Sequence, residues 1–127
     1  MISPNYFLDV AEMPMPSMES RKNFILIKSE YKLVKAWLDD ILFISAMKDY
    51  TQVFVDGKAT PITTLQNLKD FEAKLPQAEF IRIHRSFMIS LQHIDCISRN
   101  EVLIGKHSIP IGDAYREELK RKIAPYL

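Results

Sequence analysis

The run Phe80-Ile81-Arg82-Ile83-His84-Arg85-Ser86-Phe87-Met88-Ile89 sets His, Arg and Ser side by side between two apolar stretches. It reads as a strand that ends in a polar knot and then resumes. Guanidinium, imidazole and hydroxyl donors crowded at a strand end suit an anion such as phosphate, or the acceptor edge of a base. A second polar interruption, Met47-Lys48-Asp49-Tyr50-Thr51, separates two other apolar runs. Lys48 and Arg85 can each neutralise a phosphate, and Arg85 can also bridge guanine O6 and N7. Tyr50 can donate to a phosphate or lie against a sugar. The same residues equally suit a solvated hairpin and a surface charge, so spacing alone leaves both readings open. His84 is expected to hydrogen-bond backbone within its own turn.

Catalytic alternatives have less support. Asp39-Asp40 is the only adjacent acidic pair outside the last helix, and it precedes the apolar strand Ile41–Ile44. Paired acids that hold Mg²⁺ in receiver-type sites follow a buried strand instead, so a strand-start turn is expected here. No glycine-rich phosphate loop, nucleophile elbow or paired histidine ligand set occurs. His93 and His107 are expected at loop positions beside apolar strands, with no partner in view. Cys96, the single cysteine, lies in Ile94-Asp95-Cys96-Ile97 and is expected to be a small buried hydrophobe. The sequence thus argues against an enzyme, a metal site and a bound cofactor.

The elements that must position the two polar segments are mostly strands. Phe24–Ser29 and Tyr31–Leu38 are β-rich runs joined tightly at Ser29-Glu30. Ile41–Met47 and Thr51–Val55 flank Lys48-Asp49, and Asp56-Gly57 is a hairpin signal leading into Lys58–Ile62. Thr63 and Gln66 form a capping-box pair for a helix whose Leu65, Leu68, Phe71 and Leu75 recur at helical steps before Pro76. Beyond the 80–89 run come strands at Ile94–Ser98, Val102–Ile104 and Ser108–Ile111, with a turn at Arg99-Asn100. A last helix begins with Asp113 as N-cap, carries acids early and Lys120, Arg121 and Lys122 late, and has Tyr115, Leu119 and Ile123 as its apolar stripe. The fold class expected is mainly β, about eight to ten short antiparallel strands with two short helices.

Length, charge and composition bound the partners. At 127 residues the chain holds one ordinary domain. Residues 1–20 contain three of the seven prolines, four of the six methionines, and Asp9, Glu12 and Glu19 with no Lys or Arg. They are expected to be a linker or flexible arm preceding a domain over 21–127, and this start suggests a piece cut from a longer protein or a natural beginning. Residues 21–127 set 17 basic residues against 13 acidic ones, a surplus of four that permits an anionic partner without demanding one. No signal peptide or membrane-length apolar run occurs, so a cytoplasmic location without a membrane partner is expected.

The ordered set Asp40-Ile41-Leu42-Phe43-Ile44, Ala46-Met47-Lys48-Asp49-Tyr50, Phe80 to Phe87, Ile94-Asp95 and Ile109-Pro110-Ile111-Gly112 resembles the LytTR DNA-binding family over about Phe24 to Ile123. The resemblance implies an elongated domain of stacked antiparallel β-sheets whose loops enter successive major grooves of double-stranded DNA. It also implies the output half of a bacterial two-component response regulator, with an upstream receiver domain, a sensor histidine kinase and a dimer on DNA as further partners. These 127 residues leave no room for a receiver. By position, Lys48 and Tyr50 fall on one contacting loop and Arg85 and Ser86 on another. The family's third contact, a basic residue just after the last strand, meets Asp113 here, with Arg116 one turn on as a substitute. The rival reading is a β-rich protein- or ligand-interaction module that has lost DNA binding, supported by the low net charge and by Asp113.

Overall fold

The computed structural model describes residues 23–127. The expected arm over residues 1–20 lies outside the described residues. Among the described residues ten strands form three antiparallel sheets. The first is the hairpin β1 (Phe24–Ser29) and β2 (Lys32–Trp37), in which Ser29 pairs with Lys32 and Glu30 takes φ 59° in the turn. The second contains β3 (Ile41–Ala46), β4 (Thr51–Val55), β5 (Ile62–Thr64), β6 (Phe80–His84) and β7 (Phe87–Ser90), in the order β5-β4-β3-β7-β6. The third contains β8 (Cys96–Ile97), β9 (Glu101–Ile104) and β10 (His107–Pro110). Helix α1 (Leu68–Lys74) lies between β5 and β6, and α2 (Arg116–Ile123) follows β10. Among the described residues the chain therefore adopts the mainly β class with two short helices.

The central sheet is apolar on both faces because it divides two cores. Ile41, Ile44, Val53, Val55, Phe80 and Met88 face the hairpin and α1, which contribute Ile27, Ala36, Leu68, Phe71 and Leu75. Phe43, Ile81, Ile83 and Ile89 face the third sheet and α2, which contribute Val102, Ile104, Ile109 and Leu119. Strict alternation would send Leu42 and Phe43 to opposite faces. A register shift between Ile41 and Phe43 turns both toward the second core. Burial on both faces is why β3 reads as a nearly continuous apolar run, and the bulge resets the face of everything that follows on the strand.

Several expectations are corrected by tertiary contacts. Helix α1 is capped at Asn67 and not at Thr63: Asn67 Oδ1 accepts from Asp70 N at 2.9 Å and Asp70 Oδ2 accepts from Asn67 N at 3.2 Å, a complete capping box. Thr63 and Thr64 pair instead with Gln52 and Thr51, so the fifth strand is Ile62–Thr64 and not Lys58–Ile62. Gln66 turns its amide oxygen to Lys28 N, and Leu65 stands exposed ahead of the helix. Cys96 is exposed, because β8 is two residues long with its side chains outside both cores. His93 and His107 both have partners: His93 Nε2 donates to Asp39 O at 2.6 Å, and the His107 ring lies 4.9 Å from that of Phe43. Asp113 caps nothing. It opens a 3-10 turn, Asp113–Tyr115, with Gly112 at the cap position, and α2 proper begins at Arg116.

Candidate nucleic-acid interface

The two polar segments meet at one end of the central sheet. β3 and β7 pair with Ser45 opposite Phe87, and one step further Ala46 N donates to Ser86 O at 2.8 Å. The loop after β3 is closed by Met47 N donating to Tyr50 O at 2.7 Å, so Lys48 and Asp49 project from its tip. Lys48 and Arg85 are both exposed, and neither side chain has a hydrogen-bond or ion-pair partner among the described residues. Tyr50 is 39% exposed, enough to present its ring and hydroxyl beside Lys48. The segments carrying Lys48, Tyr50, Arg85 and Ser86 are thus brought together by strand register. No sequence pattern shows that adjacency.

The turn that carries Arg85 is held from inside. Ser86 N donates to His84 Nδ1 at 3.0 Å, which makes Nδ1 the acceptor and fixes the ring proton on Nε2 while the bond lasts. This is the backbone role expected of His84. Its ring also lies 5.5 Å from that of Phe87. Arg82 supplies a second brace that sequence reading missed. Its guanidinium reaches Arg85 O at 2.5 Å, His84 O at 3.4 Å and Glu72 Oε1 at 3.1 Å, so it ties the turn to α1. Strand parity gave no signal for it, because a register shift between Arg82 and His84 sets the first opposite Met88 and the second opposite Phe87, on different faces of the sheet.

Arg116 lies at the same end but is differently employed. Its Nε donates to Asp113 Oδ1 at 3.0 Å, one terminal nitrogen donates to Asn100 Oδ1 at 3.0 Å, and the other donates to Arg99 O. The side chain is 31% exposed, and Asp113 offsets part of its charge. The segment after β10 joins the strand leading into the Arg85 turn, because Gly112 N donates to Ile83 O at 2.8 Å. A Cβ at Gly112 would sit 3.2 Å from Tyr115 Cδ2 and 3.5 Å from His84 Cα, so this approach favours glycine. Among the described residues no group of three or more His, Cys, Asp or Glu is placed to hold a metal ion, and no helix is long and apolar enough to cross a membrane.

A family model described as the LytTr DNA-binding domain matches residues 31–124. The chain is 32% identical over 104 residues to the sensory transduction protein LytT of Bacillus anthracis, covering 72% of this chain and 39% of that protein. It is 33% identical over 88 residues to the transcriptional regulatory protein NatR of Bacillus subtilis, covering 69% and 35%. The chain thus spans less than half the length of these curated relatives. Its structure is similar to the LytTr DNA-binding domain of a Bacillus cereus response regulator, with a TM-score of 0.67 over 79% of this chain and 95% of that one. At 21% identity that likeness speaks for the fold alone.

Proposed function

We propose, on the premise that this chain belongs to the LytTr DNA-binding domain family, that it binds double-stranded DNA sequence-specifically as the output domain of a two-component transcriptional regulator. The observation that carries the reading is the convergence of the 47–50 loop and the 85–86 turn, joined by the Ala46–Ser86 bond, with two unpartnered cations on them. In this reading the loops enter the major groove. Arg85 reads a guanine through O6 and N7, Lys48 meets a phosphate, and Tyr50 and Ser86 donate to backbone oxygens beside them. The engagement of its donors makes Arg116 a support of this edge, without a base contact of its own. Residues 21–127 act as the binding unit and residues 1–20 as the arm joining it to a receiver domain under a histidine kinase. The length of the relatives supports that wider setting, and a dimer on DNA follows if the operator is repeated.

The test is a mobility-shift titration across salt, on a duplex selected from a random pool by the wild-type chain. A DNA-binding domain loses affinity steeply with salt, by about 0.9 in log–log slope for each phosphate neutralised. Arg85→Ala should cost about 1–3 kcal/mol and relax base preference at one position. If no duplex is selected, or if binding is indifferent to salt, the interaction-module reading replaces this one.

A further inference from the structure

We infer that the groove between the β8–β9 turn and α2 is a third DNA-contacting segment, in which Arg99 and Lys120 hold a DNA phosphate and Arg116 positions Arg99. The inference rests on the reading of the chain as a DNA-binding domain. β9 runs away from this end toward Gly105, so the Arg99–Asn100 turn lies where Glu101 pairs with Pro110. From there Ile111 N donates to Asn100 O at 2.9 Å, and the next residue, Gly112, donates to Ile83 O at 2.8 Å. Those two bonds link the turn sideways to the strand that leads into His84 and Arg85. Lys48, Arg85 and Arg99 therefore stand on three segments along one rim.

Arg99 divides into a fixed half and a free half. Its carbonyl is held by Arg116, its neighbour Asn100 is held through Oδ1, and Ser98 N closes the turn on Glu101 O at 2.9 Å. Its own side chain is exposed, with no hydrogen-bond or ion-pair partner among the described residues. The groove beside it, of about 610 Å³, is lined by Arg99, Arg116 and Lys120 against the single acid Asp113, over Ile97, Ile111 and Leu119. Asp113 is paired with Arg116 at 3.0 Å, which reduces the repulsion that an acid at this position presents to a phosphate. Lys120 is held only by a Glu117 contact of 3.7 Å between side chains 71% and 90% exposed, so it is free to turn to a ligand. Two cations over a partly apolar floor match a phosphate diester better than a base edge.

The test uses the whole chain and the selected duplex, with affinity measured by fluorescence anisotropy from 50 to 200 mM salt. Arg99→Gln should melt as wild type yet lower the salt slope by roughly one. Over that fourfold window, wild type should then lose roughly 3.5-fold more affinity than the variant. Arg99→Lys should restore the slope. Arg116→Gln should lower it too, and the double variant should bind no worse than Arg99→Gln alone, as expected when one residue acts through the other. Lys106→Gln, at the opposite end of β9, should leave the slope unchanged. A wild-type slope in Arg99→Gln, or an equal fall in Lys106→Gln, would overturn the third contact. Additive losses would overturn the positioning role of Arg116. Failure of wild type to bind any duplex would instead remove the underlying DNA-binding reading.

Discussion

Arg82→Met isolates what holds the turn that carries Arg85, because methionine keeps the apolar stem and deletes only the guanidinium. Three contacts are lost. The bond to Arg85 O at 2.5 Å is charge-assisted but lies at an exposed turn, so it contributes about 1 kcal/mol, below the range for buried cases. The ion pair with Glu72 joins side chains 22% and 41% exposed, and solvent screening reduces it to about 0.5 kcal/mol. The bond to His84 O at 3.4 Å is long and contributes little. The sum, about 1.5 kcal/mol, corresponds in a folded unit of about 100 residues to a fall in Tm of roughly 7 °C. Thermal unfolding followed by circular dichroism reads it. Because Arg82 touches no DNA in the proposed mode, the variant should lose discrimination at the base read by Arg85 while keeping the wild-type salt slope. A melting point within about 2 °C of wild type, with discrimination intact, would show that His84 and strand pairing hold the turn without this brace.

Two further outcomes follow from the same geometry. Lys48→Ala should weaken binding to specific and non-specific duplexes alike and lower the salt slope by about one, a pattern that a competition titration separates from the single-position effect of Arg85→Ala. Asn67→Ala should cost about 1 kcal/mol by chemical denaturation, because it removes the side chain that accepts from Asp70 N at 2.9 Å, whereas Thr63→Ala at the exposed strand position should cost less.

How much of the candidate site was legible depends on how local its causes are. The polar knot at His84-Arg85-Ser86 could be read directly, because a strand that stops for two residues between apolar runs leaves a mark in the sequence. So could the loop at Lys48. The role of His84 followed as well, since the bond from Ser86 N to Nδ1 spans only two residues. The start of α1 was misread for a physical reason. Thr63 and Gln66 satisfy the capping pattern, but Thr63 and Thr64 are drawn into the sheet by pairing with β4, and Gln66 is taken by Lys28, 38 positions earlier. A local preference of about 1 kcal/mol yields to ladder bonds and a buried strand residue such as Ile62. Cys96 failed likewise: its apolar neighbours suggested burial, but the face a two-residue strand turns outward is decided by the sheet it joins.

By itself the sequence determined the strand-rich class, the two donor-bearing interruptions and the apolar stripe of α2, because alternation, turn residues and helical spacing act over a few residues. Only the tertiary structure decided that Lys48 and Arg85 share an edge, that Arg82 braces the turn carrying Arg85, and that Arg116 is spent on the Arg99–Asn100 turn while the Arg99 side chain is left free. Each of those outcomes is set by register between strands far apart in the chain: Ala46 against Ser86, Gly112 against Ile83, Ile111 against Asn100. Shifting such a pairing by one residue would turn every side chain to the opposite face, and what selects the register is the burial of two cores on either side of one sheet.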